Sequence, residues 1–164
     1  PDFGCRFLYP IGMGRRRGGR EICLQSLYLW DNCVCQADDA WRAASAVTAN
    51  DGEDSRKNTT KKPDTETFKF AKELFDGVLA NQKPIDLLLE RYSHNWKLGR
   101  MSCVDRNIIR MAAYEIIFMI ETPVNVIINE AVEVAKAYST QESGKFVNGI
   151  LDKFKNERRK DNDT

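Results

Sequence analysis

A single histidine, His94, stands in 164 residues, and that scarcity excludes much chemistry at once. No partner set for acid–base or nucleophilic catalysis can be built around it, so it reads as a loop residue. The five cysteines, Cys5, Cys23, Cys33, Cys35 and Cys103, are odd in number and irregular in spacing, which argues against a disulfide framework. Cys33 and Cys35 are one residue apart, closer than zinc ligands sit, and no second pair exists. A reducing cytoplasm is the expected compartment. No apolar run approaches the roughly 18 residues of a membrane span. The glycines near the start, Gly12, Gly14, Gly18 and Gly19, have neither a preceding strand nor the spacing of a nucleotide-binding fingerprint. Carboxylate pairs such as Asp38 and Asp39 lie on polar stretches, where solvation accounts for them. The expectation is a protein that is not an enzyme, with no metal and no cofactor.

What is present is charge, unevenly placed. The formal net charge is only +1, so a nucleic-acid site would need local clustering. Arg15, Arg16, Arg17 and Arg20 cluster near the start, and Lys153, Lys155, Arg158, Arg159 and Lys160 near the end. Acidic residues interrupt the second cluster, and residues 158–164 read as a solvated polar tail. The arginines are expected to precede a helix as flexible cations beside its free N–H groups, able to fork onto phosphate and stack on bases. The alternative is a basic tail that only aids solubility. Residues 1–12 have no periodicity and precede Met13; upstream translated sequence, with Met13 as the natural start, is the expected origin.

The remainder reads as helices. Leu24, Leu27, Tyr28 and Asp31 share one face of a helix expected from about Arg20 to Val34, and a short one carrying Trp41 follows to about Ala49. Residues 50–65 are polar and aperiodic, the pattern of a mobile loop. Phe68, Ala71, Phe75, Val78 and Leu79 then form a stripe capped by Thr65 or Asp64. Pro84 suits a helix first turn, with Ile85, Leu88, Leu89 and Tyr92 on one face. Ser102 and Asp105 have capping-box spacing, with Asp where Glu or Gln is usual. The helix they open is apolar around nearly its whole circumference from Ile108 to Ile120, as befits the buried centre of a bundle. Thr122-Pro123 separates it from a helix with Ile127, Ala131, Val134, Ala135 and Tyr138 on one face. No apolar/polar alternation is sustained, so the fold class is all-α, a helical bundle.

The last helix carries Val147, Ile150, Leu151 and Phe154 at spacings of three and four. It also holds Gly144 and Gly149, each costing about 1 kcal/mol against alanine, which suggests close approach of another backbone. Lys145 and Phe146 place a cation beside an aromatic ring, a pairing that can hold a phosphate and stack a base. From the local pattern alone, one more core residue is the readier reading of Phe146.

Arg16-Arg-Gly-Gly-Arg-Glu-Ile-Cys-Leu-Gln-Ser-Leu-Tyr28, Val104-Asp-Arg-Asn-Ile-Ile-Arg-Met-Ala-Ala-Tyr-Glu115, Thr122-Pro-Val-Asn-Val-Ile-Ile-Asn-Glu-Ala-Val-Glu-Val-Ala-Lys136 and Ser143 to Lys153 together resemble the NusB transcription-antitermination family, in order, across residues 13–155. The resemblance implies six to seven helices in two small subdomains, within a domain at 13–157. It implies binding of boxA RNA together with the ribosomal protein NusE, attachment to the RNA polymerase elongation complex, and suppression of termination in ribosomal RNA operons. Some family members also form homodimers. By residue it implies RNA contacts at Arg15, Arg16, Arg17, Arg20, Tyr28, Glu142, Lys145 and Phe146, and partner contact at Asp105, with Tyr92 grouped alongside. The family usually has one residue where Gly18-Gly19 stand here. Two other readings are an accessory domain of an RNA methyltransferase, for which the sequence carries no cofactor-binding domain, and a structural helical dimerisation module.

Overall fold

The structure is a computed structural model that describes residues 14–33, 35–50, 63–94 and 97–160. Among them are seven α-helices: α1 (Arg15–Cys33), α2 (Ala37–Asn50), α3 (Thr65–Ala80), α4 (Gln82–Tyr92), α5 (Cys103–Phe118), α6 (Val124–Tyr138) and α7 (Gln141–Lys160), with a 3-10 turn at Leu98–Arg100. The fold is all-α, as the absence of alternation requires. Residues 1–12 and most of the polar stretch 50–65 lie outside the described residues. The chain divides into two compact units, and the division falls inside α3, after Phe75.

In the first unit α1 packs on α2. The Thr48 hydroxyl joins them by donating to Gln25 Oε1 at 3.4 Å. The Asp64 carboxylate, not Thr65, caps α3: it accepts from the Thr67 N–H at 2.9 Å and the Thr67 hydroxyl at 2.8 Å. Those two hydrogen bonds, with the Arg15 guanidinium contributing, hold the Asp64 pKa below its ordinary 3.8. The buried face of α3 is rotated from the expected stripe: Phe70 and Leu74 are buried, whereas Phe68 and Leu79 are only half-buried. Gly19 explains the rotation. A Cβ there would lie 2.5 Å from the Phe70 ring and 3.2 Å from the Thr67 carbonyl, so the bare backbone of α1 admits Phe70.

In the second unit α5 packs against α4, α6 and α7. Ser102 is its N-cap, accepting the Asp105 N–H at 3.0 Å. Ile108, Ile109, Met111, Ala112, Ala113 and Ile116 are buried, but so are Asn107, Arg110 and Glu115, while Phe118 at the helix end and Ile120 beyond it are exposed, so the buried stretch stops short of Ile120. Arg110 forks onto both oxygens of Asp86 at 2.8 Å and also donates to Asn107 Oδ1 at 3.1 Å, locking α4 to α5. Gly77 lies under Tyr114, where a Cβ would stand 2.1 Å from the ring. The expected stripes of α6 and α7 are buried in full.

Helix α7 runs further than the polar-tail reading allowed. Arg158 is helical, and its guanidinium donates to the carbonyls of Thr122 (2.8 Å) and Ile120, closing the end of α5. Those carbonyls lie in the turn after α5 and need a donor, which is why this arginine is not a solvated one.

Candidate nucleic-acid interface

The candidate residues fall into two groups, one in each unit. In the first unit Arg15, Arg16 and Arg17 do not precede the helix; they form its first turn, and Gly18 donates its N–H to the Gly14 carbonyl at 2.9 Å. Arginine is a good helix former, and Gly18 and Gly19 are held by packing on Thr67 and Phe70, which offsets their flexibility. Arg15 pairs with Asp64 at 2.7 Å, both side chains well exposed. Arg16 is exposed, its guanidinium 4.5 Å from the centroid of the Phe70 ring. Arg17 is half-exposed. Arg20 is no surface cation: it is 2% exposed, 5.6 Å from the same ring. Phe70 was not among the residues singled out from the sequence, because its role depends on the glycine across from it. No acid occupies the first turn of α1, so its free N–H groups add to the charge of the arginines there, offset in part by Asp64 at Arg15. Tyr28 lies half-buried about three turns further along.

In the second unit the start of α7 is built on a chain of hydroxyls. The Ser143 N–H donates to Thr140 Oγ1 at 3.1 Å, the hydroxyls of Ser139 and Thr140 each lie 2.9 Å from Ser143 Oγ, and Ser143 Oγ donates to Asp105 Oδ2 at 3.1 Å. Asp105 therefore does not complete a capping box; its carboxylate reaches α7 instead. At 9% exposure it is an internal tie rather than a surface contact. Tyr92 is drawn inward as well: its hydroxyl donates to Glu157, its carbonyl accepts Lys153 Nζ at 2.6 Å, and its ring meets Phe154 edge-on at 5.2 Å. The bond to Glu157 pushes the Tyr92 pKa up, by favouring the protonated phenol.

Past this anchored start, Glu142 and Lys145 face solvent and form a loose pair at 3.8 Å, the Lys145 side chain 81% exposed. Phe146 is half-buried, while the fully buried stripe of α7 is Val147, Leu151 and Phe154 with Ile150 nearly so. The ring at 146 is thus less buried than that stripe. Gly144 makes room for the Lys136 stem, whose Cγ would lie 3.2 Å from an added Cβ, so a side chain rather than a backbone is what approaches. Among the described residues no group of three or more His, Cys, Asp and Glu could hold a metal, and no helix is long and apolar enough to cross a membrane.

The NusB family model matches residues 17–156, nearly the whole described chain. The chain belongs to the NusB family. A transcription antitermination protein NusB of Elusimicrobium minutum is 42% identical over 148 residues, covering 90% of this chain and 97% of that one. The solved structure of NusB from T. maritima superposes with a TM-score of 0.72 at 32% identity, covering 90% of this chain and 94% of that one. A structure of the antitermination factors NusB and NusE in complex with double-stranded RNA matches with a TM-score of 0.71 at 25% identity, covering 89% of this chain and 99% of that one. The NusB assignment makes this a transcription antitermination protein and not an enzyme.

Proposed function

We propose that this NusB-family protein binds boxA RNA together with NusE, in the cytoplasm, and carries that RNA to the RNA polymerase elongation complex to suppress termination in ribosomal RNA operons. The observation that carries the reading is Phe146, half-buried beside the exposed Lys145 and outside the core stripe of α7. Such a ring can stack on an unpaired base while the ammonium neutralises phosphate. Arg15, Arg16 and Arg17 supply further phosphate contacts at a helix N-terminus that already favours anions. Arg20 supports them from beneath through Phe70. Tyr28 of α1 and Glu142 of α7 are further contacts by the family resemblance. Asp105 and Tyr92 act by position, holding α7 rather than touching a partner. NusE as co-binder and RNA as ligand are supported by the relative crystallised with both.

The test is titration of a single-stranded boxA RNA oligonucleotide, and of a duplex control, with and without NusE. Wild type is compared with Phe146→Ala and the double variant Arg16→Ala/Arg17→Ala. Phe146→Ala is expected to cost about 1–3 kcal/mol of single-strand affinity with the thermal midpoint unchanged. A melted bundle with RNA affinity intact would assign Phe146 to the core and end the proposal.

A further inference from the structure

Five described glycines lie inside helices, and four have a neighbour that a Cβ would touch: Gly18, Gly19, Gly77 and Gly144. Gly149, in the middle of α7, has none; a Cβ there would meet nothing within 4 Å. Among the described residues nothing in the packing asks for glycine at this exposed position, and alanine would make a better helix. A local sacrifice without an internal return is the mark of a surface kept clear for close approach.

The surroundings say what approaches. Lys145 and Lys153 lie one turn before and one turn after Gly149 on the same face, about 12 Å apart along the axis. Both are exposed. Lys153 is held in place by donating to the Tyr92 carbonyl at 2.6 Å, a bond that leaves its charge intact. The nearby carboxylate, Asp152, is already engaged by Lys155 at 2.7 Å and by the Asn148 amide at 3.2 Å. The exposed pair of Lys145 with Glu142 is loose and screened by solvent. The face is therefore two cations on either side of a gap in the side-chain layer, with Asp152 beside Lys153 turned to Lys155 and Asn148.

We propose that single-stranded RNA continues past Phe146 along the outer face of α7, its sugar–phosphate backbone crossing Gly149 between Lys145 and Lys153. The inference rests on the RNA-binding function proposed above and extends it by about two helical turns. A polyanion fits better than a peptide, because the two flanking charges share a sign and the missing side chain admits a bulky sugar.

The experiment uses the full chain and the boxA oligonucleotide, with Gly149→Ala, Gly149→Gln and Lys153→Gln. Gly149→Ala is expected to raise the urea midpoint while weakening RNA binding by about tenfold, and Gly149→Gln to weaken it further. Lys153→Gln is expected to lower the slope of log affinity against log salt by about 0.7, one phosphate on a single strand. RNA affinity unchanged in both Gly149 variants overturns the inference. If Phe146→Ala has meanwhile weakened binding, the proposed function stands without it; if wild type binds no RNA at all, both fall. Gly149 variants that hold RNA normally but lose NusE would assign the gap to a protein and likewise overturn it.

Discussion

A methyl group at position 77 has nowhere to go, since the Tyr114 ring already fills the space. Gly77→Ala is expected to destabilise the protein by about 1–3 kcal/mol, read as a lower urea midpoint at unchanged slope. Gly18→Ala, whose Cβ would only touch the Thr67 methyl at 3.5 Å, is the matched control and should be neutral or stabilising. The sequence announces such positions only as anomalies. A glycine inside a helical stripe signals something close by, but not whether that is Phe70, Tyr114, a lysine stem or a molecule from outside. Charged residues are equally ambiguous. Arg20 reads as one more member of a surface cluster, and only the ring of Phe70, brought near by Gly19, makes its burial intelligible. Asp105 occupies the spacing of a capping box, yet its carboxylate serves a residue 38 positions away. Among the described residues Oδ1 of that carboxylate is buried with no hydrogen-bond partner, while Oδ2 accepts from the Ser143 hydroxyl. Ser143→Ala is therefore expected to cost about 1–3 kcal/mol, because it strands a buried carboxylate. Thermal unfolding of that variant measures it.

Helix existence was legible because a 3.6-residue apolar period persists through α6 and α7 and needs no knowledge of neighbours. Helix phase was less so. The buried face of α3 is decided by a gap in α1, and periodicity cannot register a gap elsewhere in the chain. Helix ends followed the same logic. The Ser102 cap is a local signal and was readable, whereas the far end of α7 is fixed by carbonyls of the turn between α5 and α6. The clamp between α4 and α5 shows what a nearly apolar helix can conceal. Arg110 and Asp86 are 6% and 24% exposed, and a fork with two bonds of 2.8 Å fixes their geometry. Asp86→Ala would leave a guanidinium buried with its main acceptor gone, and about 3 kcal/mol of stability is expected to go with it. Asp86→Asn should lose less, since one acceptor oxygen remains. The candidate interface divides along this line too: its residue types were readable from the resemblance, but their accessibility was a matter of which helix face each occupies.

For the molecule as a whole, a formal charge of +1 means that RNA affinity cannot arise from a general excess of cations. Binding should fall steeply with salt, and the arginine and lysine substitutions should flatten that dependence. Stability should respond to pH at both extremes. Asp64 has a pKa depressed below 3.8, so its contribution is complete above that value and is lost as pH falls through the folded one. The start of α3 should then loosen first in acid, as amide exchange near Thr67 would show. Tyr92 has a pKa raised above 10.0, so its contribution is complete below that value and disappears as pH climbs through the folded one. Near-ultraviolet titration of Tyr92→Phe against wild type isolates that limb. The way α7 closes the second unit bears finally on synthesis. Residues up to Phe75 can collapse while the ribosome is still adding chain, but α5 and α6 emerge with the faces that α7 will cover still bare. Until residues 141–160 leave the exit tunnel, those faces are open to chaperones and to aggregation, and a translational pause before that point prolongs the exposure.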